Sequence, residues 1–137
     1  MPEPSETSAL IEAYIEAFNA RSVSGILECL SEDVAYDANQ AERRIGRSSV
    51  EAYLVHMFRC YRETVSDLLV MVSDDGYRAA AEYTMRGVYV ETDDALPPAE
   101  GQTYSVSGGT FFEVDDRRLS RVTNYYNLDA WIAQVGR

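Results

Sequence analysis

One histidine, two cysteines and ten tyrosines are the side chains most able to carry chemistry in this 137-residue chain. His56 is the sole histidine, and imidazole is the only side chain whose ordinary pKa lies close to neutrality. It falls between the apolar positions Tyr53 and Met57 of a helical pattern. It is therefore either a general base or polar anchor of a pocket, or a packed and hydrogen-bonded helix residue. Cys29 and Cys60 both sit in apolar helical patterns, with no framework of further cysteines. There is no HxxxH or CxxC, and no carboxylate at matching helical spacing, so no metal is expected. Ser105 and Ser107 lack a histidine at suggestive spacing, and no glycine-rich phosphate loop is present. Nucleophilic catalysis, nucleotide binding and a bound cofactor are accordingly not expected. Among the tyrosines, Tyr77, Tyr83 and Tyr89 share strand parity, as do Asn124 and Tyr126. Such hydroxyl-studded walls suit an apolar ligand with a few polar anchors. They suit an aromatic core or a sheet-mediated dimer interface equally well.

These residues need elements to position them. Leu10, Ile11, Tyr14, Ile15 and Phe18 recur at one-face spacing, which predicts a helix over residues 6–20. A second, shorter helix follows Ser22, a suitable cap, with Val23, Ile26, Leu27 and Leu30 as its stripe. The third opens on Ser48 with Glu51 three residues later, a capping-box pattern. Val50, Tyr53, Leu54, Met57 and Tyr61 form its apolar face. A short strand over 33–38 separates the second and third helices. Strands are predicted at 64–73, 77–91, 102–114 and 118–127, with turns at Asp74-Asp75-Gly76 and Asp115-Asp116. Pro97, Pro98 and Gly101 mark residues 92–101 as a loop, and 128–135 close the chain as a short helix. The sum is an α+β fold: three N-terminal helices against a curved antiparallel sheet, with a short C-terminal helix. An antiparallel meander has one face to bury, and the helices must cover it, leaving a tapering space between.

Length and composition fit one domain over residues 1–137 with an ample core, since 46% of residues are hydrophobic. The net charge of −11 argues against nucleic acid and against anionic membrane surfaces. No apolar stretch approaches the ~18 residues of a membrane span, and no secretory signal is apparent at the N-terminus. A reduced, cytoplasmic setting is expected.

The order of elements, Ala13-Tyr14 and Phe18-Asn19-Ala20 in the first helix, and the ending at 122–135 (VTNYYNLDAWIAQV) resemble the NTF2-like, or SnoaL-like, superfamily. The stretch His56–Glu63 (HMFRCYRE) with that ending is similar to the ketosteroid isomerase-related bacterial proteins. The resemblance implies a conical fold, a homodimer through the sheet, and a pocket inside the cone for an apolar, steroid- or polyketide-like ligand. It implies no single reaction, because fold and function separate in such families.

Ketosteroid isomerases use a carboxylate base, with a tyrosine and a protonated acid holding the dienolate oxygen, a system the general theory of pKa tuning already describes. Tyr14 matches the tyrosine. For the base, one anchor lands on Ala38 and the other on Asp37, and one residue of strand register decides between pocket and solvent. The acid position carries Gly109, which has no side chain to donate; Asn124 on a neighbouring strand could supply an amide instead. Epoxide hydrolases of the superfamily need an Asp-Arg-Asp set, and here the matching positions hold Asn124, Tyr83 and Met85. The resemblance thus yields Tyr14, Asp37 and His56 as candidate catalytic residues. Tyr36, Tyr53, Met57, Tyr83, Met85, Gly109, Asn124 and Tyr126 are the candidate ligand-binding residues. Proton transfer on an apolar carbonyl compound, noncatalytic binding of an apolar ligand, and a sheet-mediated interaction module are the three readings left open.

Overall fold

A computed structural model describes residues 1–94 and 96–136. Ala95, inside the expected 92–101 loop, and Arg137 lie outside the described residues.

Helix α1 (Pro4–Asn19) buries Thr7, Ile11, Tyr14 and Ile15, the i, i+4, i+7, i+8 stripe of a one-sided helix. The Thr7 hydroxyl ties its first turn to the Gly76 carbonyl at 2.6 Å. A Cβ on Gly76 would meet the Pro2 carbonyl at 2.4 Å, and its φ of +75° is one that glycine tolerates best. Helix α2 (Val23–Glu28) is capped as expected, with the Ser22 hydroxyl accepting the Gly25 N–H at 3.1 Å. Strand β1 (Leu30–Asp37) and a two-residue strand β2 (Arg44–Ile45), unseen in the sequence, lead to α3 (Arg47–Cys60). The expected Ser48–Glu51 capping box does not form. The helix starts from Gly46 at φ +91°, with no side-chain cap.

At its other end α3 stops sooner than its apolar stripe predicts. Tyr61 is already extended (φ −131°, ψ 138°), and β3 (Tyr61–Val72) follows without a loop. The Arg21 guanidinium donates to the carbonyls of Phe58 and Tyr61, satisfying helix-end acceptors at this corner. Strands β4 (Arg78–Tyr89), β5 (Thr103–Asp115) and β6 (Arg118–Tyr126) complete an antiparallel meander. Helix α4 (Leu128–Val135) is capped by the Asn127 side chain.

The sheet order is β2-β1-β6-β5-β4-β3. Strand β1 joins β6 in parallel, pairing Tyr36 with Val122 and Asp37 with Thr123, so the sheet is mixed rather than wholly antiparallel. Register shifts interrupt β3 between Ser66 and Leu69, β1 between Leu30 and Ala35, and β5 between Glu113 and Val114. Such bulges bend strands, and here they accompany a sheet curved beneath α1 and α3. Ile11, Ile26, Leu30, Val34, Phe112 and Val122 form the dry centre. A second aromatic cluster of Tyr61, Tyr89, Tyr104 and Trp131 packs beneath α4. No helix among the described residues is long and apolar enough to cross a membrane.

Candidate active site

Between the helices and the inward sheet face lies a partly enclosed, mostly apolar cavity of about 90 Å³. That is room for about three water molecules at ~30 Å³ each. Its walls come from every layer. Tyr14 stands on α1, Tyr53 and Met57 on α3, Tyr36 on β1, Tyr83 and Met85 on β4, Asn124 and Tyr126 on β6, and Trp131 on α4. All of these except Trp131 are residues that the sequence singles out.

A chain of hydrogen bonds crosses the sheet side of the cavity. Thr110 Oγ1 donates to Asn124 Oδ1 at 2.9 Å, and Asn124 Nδ2 donates to the Tyr36 hydroxyl at 3.2 Å. Since the Thr110 proton is committed to Asn124, the Tyr83 hydroxyl donates to Thr110, at 2.7 Å. The Tyr14 hydroxyl stands next to that of Tyr36, close enough for each to shift the other's protonation. Burial pushes the Tyr14 and Tyr53 hydroxyls well above the ordinary phenol range, and Tyr36 and Tyr83 upward as well. Tyr126 is raised by burial, and by the nearby Glu63 charge, to about 12. These phenols therefore stay protonated and act as neutral donors.

The cavity holds one carboxylate, and it is not the one that the sequence suggests. Glu63 shares the inward face of β3 with Tyr61 and Val65 and lines the cavity. Its Oε2 accepts the Tyr104 hydroxyl at 2.5 Å, while Oε1 has no protein partner among the described residues. Burial raises its pKa; the Tyr104 hydrogen bond and the Arg21 charge pull it back only in part. A carboxylate raised toward neutrality, beside neutral donors, is the pairing that general acid–base chemistry requires.

Asp37 points the other way. The inward residue of that register is Tyr36, buried in the cavity wall, whereas Asp37 is held by Arg43 in a two-pronged ion pair at 2.8 and 2.9 Å. It also accepts the Thr123 hydroxyl at 2.6 Å. The Arg43 hydrogen bonds, with help from Thr123, outweigh its partial burial and hold the carboxyl below the usual range. Both oxygens are occupied outside the cavity, so the structure does not support Asp37 as a base there. Asp37→Asn should leave ligand affinity and turnover at wild-type values, as measured by titration and initial rates. A loss of turnover at unchanged folding would restore Asp37 to the chemistry.

Gly109 is likewise corrected by one step of parity. Strand β5 turns Gly108 and Thr110 inward and Gly109 outward. A Cβ on Gly108 would lie 2.5 Å from the Tyr83 ring, so only glycine leaves room for that ring. On Gly109 it would meet nothing closer than the Ala81 carbonyl, at 3.7 Å. The inward hydroxyl of Thr110 thus stands beside the place where the comparison with isomerases puts no donor. His56 does not line the cavity either; it is half-exposed and contacts Asp93 and Arg59.

The profile of the SnoaL-like domain matches residues 11–122, most of the chain. The chain belongs to the SnoaL-like family. A candidate polyketide cyclase from Xanthomonas campestris pv. campestris is 49% identical, covering 96% of this chain and 97% of its own, with a TM-score of 0.94. A second, from Pseudomonas putida KT2440, is 47% identical over 94% of this chain and 97% of its own, with a TM-score of 0.92. An epoxide hydrolase from M. tuberculosis, 18% identical over 98% of this chain and 88% of its own (TM-score 0.78), shares the fold. None of the curated proteins matches the chain.

Among the lining residues that the sequence does not single out are Glu63, Thr110 and Trp131. Glu63 was hidden because Tyr61 reads as part of α3, which leaves the next two residues without a face. Trp131 falls in the expected 128–135 helix, with no role of its own assigned there. The i, i+2 step from Tyr61 to Glu63 to Val65 was the available signal for the first, once the strand is started at Tyr61.

Proposed function

We propose that this SnoaL-like protein binds an apolar, oxygen-bearing small molecule of polyketide- or steroid-like chemistry and moves a proton at the carbon beside its carbonyl. The observation that carries this reading is the cavity carboxylate Glu63, raised by burial and facing neutral tyrosine hydroxyls. The substrate carbonyl oxygen accepts a hydrogen bond from the Tyr14–Tyr36 end of the chain. Glu63 Oε1 takes the α-proton as negative charge develops on that oxygen. Returning the proton to a different carbon is isomerisation; attack of the enolate on a second carbonyl of the same molecule closes a ring. Both reactions share this first step, and the naming of the 47–49% identical relatives as candidate polyketide cyclases supports the second ending.

A cavity of about 90 Å³ is smaller than the ~300–1,000 Å³ typical of ligand sites, so binding must open it. Met57 and Met85, unbranched and adaptable, are the lining residues best able to yield. Trp131 is the only tryptophan and lines the cavity, so its fluorescence reports occupancy directly. Titration with a phenolic steroid such as equilenin, and with a panel of aromatic polyketides, should perturb Trp131 emission saturably. Tyr14→Phe should weaken that response. Saturable binding with no exchange of any α-proton into heavy water would leave a binder and sink the catalytic reading.

The opposite face of the sheet supports a homodimer. Leu69, Met71, Phe111 and Tyr125 are all about half exposed, and the Phe111 and Tyr125 rings meet edge to face at 5.8 Å. Met71, Phe111 and Tyr125 border a wide, shallow hollow of about 870 Å³, more open than the cavity and edged by Asp67 and Glu82. Sedimentation should give a dimer that Phe111→Asp converts to monomer; a 15.4 kDa species for the unaltered protein at micromolar concentration would rule it out. The two free, buried cysteines support a reducing, cytoplasmic setting.

A further inference from the structure

The corner where α3 ends holds a cluster that the cavity does not use. His56 and Cys60 lie four residues apart on α3, so their side chains share one face, and Asp93 meets them from the segment after β4. His56 Nε2 is 3.0 Å from Asp93 Oδ1 and 4.0 Å from Cys60 Sγ, and all three donor atoms lie within 4.8 Å of one another. We propose that His56 Nε2, Cys60 Sγ and Asp93 Oδ1 form a binding site for a borderline divalent transition metal of the Zn(II) and Co(II) class.

The same three residue types could instead make a nucleophilic triad, and the geometry decides against it. In a triad the carboxylate and the nucleophile contact opposite ring nitrogens, so that one orients the base and the other is activated. Here both converge on Nε2, and Cys60 is fully buried. Convergence of sulfur, nitrogen and oxygen on one point is the arrangement of a metal centre. Tetrahedral zinc with ordinary bond lengths holds its N, O and S ligands about 3.3–3.6 Å apart. The observed 3.0 and 4.0 Å bracket that range, and Asp93 Oδ1 and Cys60 Sγ, within 4.8 Å of each other, would draw together by up to about an ångström on loading. The Thr92 carbonyl, 4.0 Å from Cys60 Sγ, or a water can supply a fourth ligand.

The surroundings fit the same role. Tyr61 donates to the second Asp93 oxygen at 2.7 Å, and the Asp93 N–H donates to the Tyr89 hydroxyl at 2.8 Å, which orients the carboxylate as outer-sphere partners do. Only the thiolate ligates, so loading expels the Cys60 proton. Arg59 donates to His56 Nδ1 at 3.2 Å, which places the ring proton on Nε2 in the metal-free protein. Loading moves that proton to Nδ1, and Arg59 then rests on Glu91, already 2.7 Å away. One thiolate, one imidazole and one carboxylate suit zinc or cobalt and leave magnesium and calcium without their oxygen cage. The site would pin the 91–94 segment to α3, beside the tyrosines that support Glu63.

Chelator-treated protein titrated with Co(II) tests the assignment. One equivalent should bind, giving a thiolate-to-cobalt band in the near ultraviolet and the visible bands of four-coordinate cobalt. Zn(II) should displace it and raise the melting temperature. Cys29→Ser should behave as the unaltered protein, and Cys60→Ser should lose the thiolate band. His56→Gln and Asp93→Asn, at partly exposed positions where folding is secure, should each weaken binding about tenfold or more. Absence of the thiolate band at saturating Co(II), its persistence in Cys60→Ser, or unchanged affinity in His56→Gln and Asp93→Asn would overturn the site.

Discussion

Replacing Glu63 by glutamine is expected to abolish proton transfer while making the protein more stable at neutral pH. Glutamine keeps the shape and can still accept the Tyr104 hydroxyl, but an amide has no basic oxygen to take an α-proton. Loss of a positioned general base costs about 10²–10⁴ in rate. The stability effect follows from the direction of the pKa shift. Burial raises Glu63 above its unfolded value, so the native state favours the protonated form. Its contribution is therefore fully present below the unfolded glutamate pKa of about 4.3 and is lost as pH rises through the raised folded value. Glutamine carries no such loss. Melting temperatures of the two proteins should coincide in acid and diverge in favour of Glu63→Gln as pH approaches neutrality. Coincident melting curves across that range, or undiminished exchange into heavy water, would show that Glu63 is neither strained nor the base.

Asn124→Leu should produce the largest loss of stability among the cavity substitutions. The amide is the central link of the chain running from Tyr83 through Thr110 to Tyr36, beside Tyr14. Leucine fills similar space but leaves the Thr110 hydroxyl without its acceptor and Tyr36 without its donor, inside a partly enclosed site. An orphaned buried polar group costs about 1–3 kcal/mol, so two partly compensated ones cost about 2–4 kcal/mol. Urea unfolding measures this directly, and ligand affinity should fall with it, because Tyr14 and Tyr36 lose their fixed orientation. A change below about 0.5 kcal/mol would mean that the chain is not a connected network.

Much of this was legible in the residues. Helix α4 runs over the expected residues 128–135, and Asn127 caps its first turn. The cavity wall was readable for a related reason: Tyr83, Asn124 and Tyr126 keep strict strand alternation, and alternation assigns a face. The errors at Glu63, Asp37 and Gly109 are errors of phase. Tyr61 continues the apolar stripe of α3, so nothing local says that the chain turns extended there, and Glu63 stays hidden. Asp37 and Gly109 each fall one residue off the inward parity, the smallest error that sends a side chain to the opposite face. The parallel pairing of β1 with β6 joins segments about 86 residues apart and leaves no local trace. His56 and Cys60 show their shared face by spacing alone, but Asp93 reaches them only through the packing of the loop after β4.

The central claim is that the cavity carboxylate is a base with a raised pKa that responds to what fills the cavity. The most direct measurement is a pH titration of the Glu63 side-chain carboxyl by carbon NMR, assigned by its loss in Glu63→Gln. It should be made with the cavity empty and then filled with equilenin. A midpoint above the ordinary glutamate range that moves further upward on filling, as water is displaced from Oε1, is the predicted result. An ordinary midpoint that ignores the ligand would contradict it.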